Sequence, residues 1–185
     1  MSAIDLSSYA GLAAMFLLTF NILLGLLLST KYNPALRWPH RRIKIFEIHN
    51  WTAYVALALV VLHPVLLLSS STAGFKVVDV LWPAHSPHQQ TYNWLGAIAF
   101  YFVTLVVVTS YFRPQLKNRI WKAFHYSAYV AAAFLYVHGT LIDQNLKDQP
   151  ADLLDGEKIE VEACGILVLG ASLWRLRYGL LKARR

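Results

Sequence analysis

The sequence contains a single cysteine, Cys164, which lies in an apolar run. One cysteine cannot form a disulfide within the chain, and it cannot supply the several thiolates of a cysteine-rich zinc or iron–sulfur site. We therefore interpret Cys164 as a residue of helix packing. Charged residues are also scarce, at 15% of the chain, whereas soluble domains carry about 25%. This composition argues against a soluble globular domain.

A nucleotide-binding pattern is lacking as well. No strand followed by a glycine-rich turn and a helix can be recognised, and no polar stretch is long enough to contain one. FAD and NADPH sites usually show that pattern. We expect FAD and NADPH to act on this chain only through a partner protein.

Long apolar runs dominate what is present, and 57% of the residues are hydrophobic. Five runs approach the ~20 residues that a helix needs to cross the hydrocarbon core. Helices are the expected spanning elements, because backbone polar groups in lipid must be satisfied internally. The sequence therefore predicts an all-α integral membrane bundle that forms one domain over residues 1–185. The predicted spans are residues 9–30, 46–69, 92–112, 120–142 and 161–181.

Basic residues are distributed unequally among the connecting segments. Fourteen of the 17 lysines and arginines lie in the first loop, in or just after the third loop, and towards the C-terminus. The other three are Lys76, Lys147 and Lys158. By the positive-inside rule, the N-terminus is predicted outside and the C-terminus in the cytoplasm. The net charge of +7 is thus a topology signal. It predicts a multi-pass protein of the cell membrane, of the bacterial inner-membrane type, whose partner is the lipid bilayer and not nucleic acid.

Four of the seven histidines lie within the predicted spans: His49, His63, His125 and His138. Ionisable side chains are costly in a membrane and are usually functional there. His49 and His63 are fourteen residues apart on the second span, and His125 and His138 are thirteen apart on the fourth. Each pair is therefore separated by roughly 20 Å along its helix.

The predicted topology pairs these histidines by depth. The second and fourth spans run in the same direction, so His49 matches His125 on the inner side and His63 matches His138 on the outer side. Two facing imidazoles can fill both axial positions of a haem iron, which suits electron transfer. Interhelical hydrogen bonding or proton relay is the competing interpretation. The thirteen-residue spacing turns the two side chains to different faces of an ideal helix, so it requires a local distortion or haems approached from different azimuths.

Two stretches carry a family resemblance: RRIKIFEIHNWTAYVALALVVLHPVLLL and RIWKAFHYSAYVAAAFLYVHGTLI. They resemble the ferric-reductase-like transmembrane domain of ferric reductases, NADPH oxidases and the membrane haem subunit of methionine sulfoxide reductase systems. The resemblance covers roughly residues 40–180. It implies two b-type haems, an inner one on His49 and His125 and an outer one on His63 and His138. It also implies that electrons move outward from a cytosolic donor.

The sequence departs from the family pattern in two respects. Many family members continue into a module that binds FAD and NADPH, and here no such pattern precedes Arg185. The NADPH oxidases also place an arginine and an extra histidine near the outer haem. The first span here has no arginine, and Leu67 stands one turn after His63. We therefore expect an oxidoreductase subunit without its own flavin module, and no autonomous superoxide production.

The donor and acceptor are left open by the sequence. A separate cytosolic flavoprotein or a quinol could donate electrons, and ferric iron, a periplasmic redox protein or oxygen could accept them. A quinol-oxidising cytochrome b is the alternative within redox proteins, and a transporter or assembly factor is the alternative outside them. Four basic residues near the inner ends of the spans could pair with haem propionates, or could simply mark the topology. They are Arg41, Arg42, Arg119 and Lys122.

Overall fold

The computed structural model describes residues 1–30, 44–143, 146, 152 and 154–183, and every regular element among them is a helix. The predicted all-α class is confirmed. Short 3-10 turns occupy Pro83–His85 and Arg113–Gln115. The α-helices are α1 (Ala3–Ser29), α2 (Ile45–Leu68), α3 (Val77–Leu81), α4 (Gln90–Tyr111), α5 (Asn118–Tyr126), α6 (Ala128–Leu141) and α7 (Gly156–Ala183).

Three helices of the described chain, α1, α2 and α4, are long and apolar enough to cross a membrane. The predicted fourth span is divided between α5 and α6, each of which is shorter than a membrane crossing. The predicted fifth span lies within α7, which also contains charged residues at both ends. The total of five spans and the direction of the chain therefore stay predictions.

Helix α1 begins at Ala3, six residues before the predicted span. Ser2 and Asp5 form a capping box at this end. The Asp5 backbone N–H donates to Ser2 Oγ (3.1 Å), and the Ser2 backbone N–H donates to Asp5 Oδ2 (2.7 Å). Two of the N–H groups that lack helical partners are thereby satisfied, which stabilises a polar helix start outside the apolar run.

The helix that carries His125 and His138 is interrupted between them, at Ser127. The Ser127 backbone N–H donates to the Phe124 carbonyl (3.1 Å), and the Ser127 hydroxyl donates to the same oxygen (2.6 Å). Such side-chain bonds compete with the regular α-helical pattern and tighten or bend a helix. The helix is thus locally distorted between the two histidines.

Two helix pairs form the centre of the bundle, α1 with α2 and α4 with α6. Between them lies a small core of Val103, Val107 and Ala131. Helix α7 packs against α1 and α6 through buried Val161 and Val168. The same face buries Cys164, a free thiol, in agreement with the packing role that the sequence predicts.

Candidate functional site

His49 and His125 face each other between α2 and α5. Their ring centroids are 6.2 Å apart, and their planes are inclined at 67°. The two residues are 76 positions apart in the sequence, so the fold alone brings them together. The structure therefore contains the first histidine pair that the depth argument predicts, at the end of the bundle where α2 begins.

His63 and His138 both line a cavity at the opposite end of the bundle. Its volume is about 170 Å³. One water molecule needs only about 10–15 Å³, so the cavity can hold a much larger group. Most of the lining is apolar, and it includes two glycines, Gly11 and Gly96, beside the histidines. The second predicted pair thus shares one concave, mainly apolar site.

Three of the four histidines donate from Nδ1 to a backbone carbonyl of a neighbouring helix. His63 donates to Ser7 (2.8 Å), His49 to Asn21 (3.1 Å) and His138 to Tyr92 (2.8 Å). A carbonyl oxygen only accepts hydrogen bonds, so Nδ1 must hold the proton. In a neutral imidazole, Nε2 then keeps its lone pair. All three rings are therefore fixed in the tautomer that binds a metal through Nε2.

A glycine on the neighbouring helix lies beside each of these three rings. A Cβ atom added to Gly11 would lie 3.0 Å from His63 Nδ1, and one added to Gly25 would lie 3.3 Å from His49 Cε1. At Gly96 the distance to His138 Cε1 would be 2.9 Å. Each glycine follows the accepting residue by four positions, one helical turn. Because glycine has no side chain, the imidazole can approach closely enough to bind the carbonyl one turn earlier in the helix.

His125 has a different environment. Its Nδ1 lies 3.2 Å from Ser110 Oγ, so a side chain takes the place that a carbonyl has at the other three rings. The Trp121 ring stacks on His125 with centroids 4.9 Å apart, and Trp121 Nε1 donates to Ser110 Oγ (3.4 Å). The Arg113 guanidinium lies 4.3 Å from the centroid of Trp121. Helix α4 and the following turn therefore hold this histidine through side chains.

The spacing of the first pair suits ligation of one metal ion by two imidazoles. Metal–nitrogen bonds to imidazole are about 2 Å long, so two rings that bind one ion from opposite sides have centroids about 6 Å apart. Metal-binding histidines usually donate their other N–H to a carbonyl or carboxylate, which orients the ring. Among the described residues, no group of three or more histidine, cysteine or acidic side chains could hold a metal ion. His49 and His125 could supply two ligands of a haem iron, and the macrocycle would supply the others.

The structure describes two of the four predicted propionate partners. Arg119 and Lys122 lie on α5 and are exposed. Arg41 and Arg42 lie outside the described residues.

Residues 10–136 match a protein-family model, the ferric reductase like transmembrane component. The match covers more than half of the chain. The chain belongs to this family. Comparison with curated proteins and with solved structures found no significant match. The family match supports a role in transmembrane electron transfer. It contains three of the four histidines, while His138 lies two residues beyond its end.

Sequence reasoning missed the residues that orient the histidines in this ferric reductase-like domain. They are Ser7, Gly11, Asn21 and Gly25 on α1, and Tyr92, Gly96 and Ser110 on α4. A signal was available in the spacing. Ser7 and Asn21, Gly11 and Gly25, and Gly96 and Ser110 are each fourteen residues apart, the same interval as His49 and His63.

Proposed function

We propose that the chain is a membrane cytochrome with two b-type haems, which carries electrons from a cytosolic donor to an acceptor on the outer face. One observation supports this most directly: the Nδ1 hydrogen bonds of His49, His63 and His138 leave Nε2 of each ring available for iron. Membership of the ferric reductase-like family points in the same direction. Haem supplies one-electron redox chemistry when it is bound.

The proposal assigns the axial ligands by end of the bundle. His49 and His125 hold the inner haem, and His63 and His138 hold the outer one. Both axial positions are then filled by protein nitrogen, which favours electron transfer over binding of small molecules at the iron. Arg119 and Lys122, together with Arg41 and Arg42, are proposed partners of the haem propionates, since guanidinium and ammonium groups form strong charge-assisted bonds with carboxylates.

The proposed topology has five spans, with the N-terminus outside. Helices α5 and α6 act together as the fourth span, and α7 is the fifth. Along α7 one face is buried, while Ile166, Leu169 and Leu173 are each more than 60% exposed on other faces. Exposed leucine and isoleucine on a helix that also packs against a bundle suit contact with lipid tails. The protein is then a multi-pass component of the cell membrane, of the bacterial inner-membrane type.

The electron donor in this proposal is a separate cytosolic flavoprotein, with a membrane quinol as the alternative. The acceptor is ferric iron, a periplasmic redox protein or oxygen. Anaerobic spectra distinguish the donors: NADPH with free FAD should leave both haems oxidised, and adding a flavin reductase should reduce them. Reduction by a water-soluble quinol analogue alone would favour the cytochrome b alternative. Rapid reduction by NADPH and free FAD would contradict the need for a partner protein.

The decisive experiment is a haem determination on the purified chain. We expect about two b-type haems per chain and the reduced-minus-oxidised spectrum of six-coordinate haem after addition of dithionite. A chain that purifies folded and without haem, after expression with ample haem supply, would overturn the proposal. It would instead favour a transporter or an assembly factor with structural histidines.

A further inference from the structure

Lys158 lies in the first turn of α7 and is almost completely buried, with 4% of its surface exposed. Its ammonium group donates to the carbonyl of Gly139 (2.9 Å) and to the carbonyl of Ile142. Lysine is rarely so buried unless it has partners for its charge. Neither the paired histidines nor the predicted topology accounts for this residue.

The two carbonyls that Lys158 binds belong to the C-terminal end of α6. The last carbonyls of a helix have no partners within the helix, and a cation placed there is favoured by the helix dipole. His138 lies on the same turn, and its own carbonyl accepts from the Ile142 backbone N–H (2.9 Å). His138, Gly139 and Ile142 all line the cavity. Lys158 therefore fixes the segment that presents His138.

The surroundings of Lys158 contain groups that disfavour its positive charge and groups that stabilise it. Burial disfavours the charged ammonium group, and the nearby carboxylates of Glu157, Asp143 and Asp155 favour it. Two carbonyl acceptors and the negative end of the α6 dipole also stabilise the charged form. A positive charge thus sits directly behind the turn that carries an axial ligand of the proposed outer haem.

We propose that Lys158 holds the C-terminal end of α6 and that its positive charge raises the reduction potential of the outer haem. The inference rests on the proposed function. Reduction of a ferric haem adds one electron and breaks no bond, so a nearby positive charge stabilises the reduced state relative to the oxidised state. A unit charge roughly 10 Å away, at an effective dielectric constant of about 20, shifts such an equilibrium by roughly tenfold. Lys158 would therefore favour the reduced form of the outer haem.

The test is a redox titration of the purified holoprotein in three forms: wild type, Lys158→Gln and Lys158→Arg. Glutamine can still donate to the α6 carbonyls but carries no charge, and arginine keeps the charge. At a fixed potential, Lys158→Gln should lower the ratio of reduced to oxidised outer haem roughly tenfold, equivalent to about 59 mV for one electron. The inner haem should titrate as in wild type, and Lys158→Arg should stay close to wild type.

A second variant, Glu157→Gln, removes a negative charge close to Lys158. It leaves the hydrogen bonds from Lys158 to the carbonyls of Gly139 and Ile142 in place. It should raise the outer potential, and it keeps the proposal testable if Lys158→Gln loses the outer haem. Three results would overturn the proposal: unchanged outer potentials in every variant that keeps both haems, equal shifts in the two haems, or equal shifts in the glutamine and arginine variants. Absence of haem from the wild-type chain would instead refute the proposed function, so the two failures are distinguishable.

Discussion

Ser7 and His63 hold each other through reciprocal hydrogen bonds across the α1–α2 interface. His63 Nδ1 donates to the Ser7 carbonyl (2.8 Å), and the Ser7 hydroxyl donates to the His63 carbonyl (2.7 Å). Asn21 and His49 repeat the arrangement fourteen residues further along α1, where Asn21 Nδ2 donates to the His49 carbonyl. Helix α1 therefore orients both histidines of α2, although it contains no histidine itself.

The glycine beside His138 should be intolerant of a side chain. In Gly96→Ala the new Cβ would lie 2.9 Å from His138 Cε1 and 3.1 Å from Nδ1, so the ring must move away from the Tyr92 carbonyl. Overpacking of this kind costs roughly 1–3 kcal/mol. We expect a lower outer-haem content after purification and a lower melting temperature.

The matched control for this glycine is Gly170→Ala on α7, where an added Cβ meets no atom within 4 Å. Alanine favours a helix over glycine by up to about 1 kcal/mol, so this variant should keep its full haem content and equal or exceed wild type in stability. If both alanine variants behaved alike, close contact at Gly96 would not be what fixes His138.

The hydroxyl of Ser110 should influence the inner haem. Ser110→Ala removes the oxygen that faces His125 Nδ1. Hydrogen bonding at that nitrogen makes an imidazole ligand more basic, and a more basic ligand stabilises ferric iron. We expect Ser110→Ala to raise the midpoint potential of the inner haem, measured by spectroscopic titration, and to leave the outer haem unchanged.

Ser7→Ala provides the comparison for Ser110→Ala. It removes a hydroxyl that lies 3.0 Å from His63 Nδ1, but it leaves the carbonyl that accepts from the same nitrogen in place. Loss of the hydroxyl bond to the His63 backbone should cost about 1 kcal/mol of stability, with little effect on either potential. A larger potential shift in Ser7→Ala than in Ser110→Ala would contradict this account.

Removing one axial ligand should affect one haem more than the other. We expect His49→Ala to lose mainly the inner haem and His63→Ala mainly the outer one, each leaving about one haem per chain, because each haem depends on two axial bonds. Haem content and low-temperature spectra of the two variants provide the measurement. Equal loss of both haems from each variant would argue against the pairing by depth.

The direction of the chain can be tested with single cysteines in a Cys164→Ala background. Asp152 precedes α7, and Asn118 begins α5. In the proposed topology, a cysteine at position 152 should react with an impermeant maleimide from outside. One at position 118 should react only after the membrane is opened. Labelling of both positions from the same face would refute the five-span arrangement.

The sequence predicts the long apolar helices well and their irregularities poorly. Hydropathy detects the part of α1 that is apolar, but the helix starts earlier at the Ser2–Asp5 capping box. That signal was readable from the two residues. The break at Ser127 depends on the hydroxyl bonding to Phe124, and a serine within an apolar helix can equally leave the helix straight. Lys158 lies outside the predicted span of residues 161–181, and the sequence does not reveal its carbonyl partners because they belong to another helix.

The candidate site is predictable in its histidines and not in the groups around them. Membrane histidines are rare enough to attract attention, and the depth argument groups His49 with His125, whose ring centroids lie 6.2 Å apart. The acceptors at Ser7, Asn21 and Tyr92 are backbone carbonyls, which every residue possesses. Only the glycine one turn later and the fourteen-residue interval distinguish these carbonyls from others.

Backbone acceptors also determine what a saturation mutagenesis experiment on this domain would reveal. No substitution deletes a main-chain oxygen, so the hydrogen bonds that orient His49, His63 and His138 cannot be removed by changing the residues that accept them. Tyr92 should tolerate many replacements, provided that α4 keeps its course. Intolerance would instead appear one turn away, as a requirement for glycine at positions 11, 25 and 96. A genetic screen would thus detect a requirement for a small residue at these three positions. The hydrogen bonds that this requirement protects would not be detected directly.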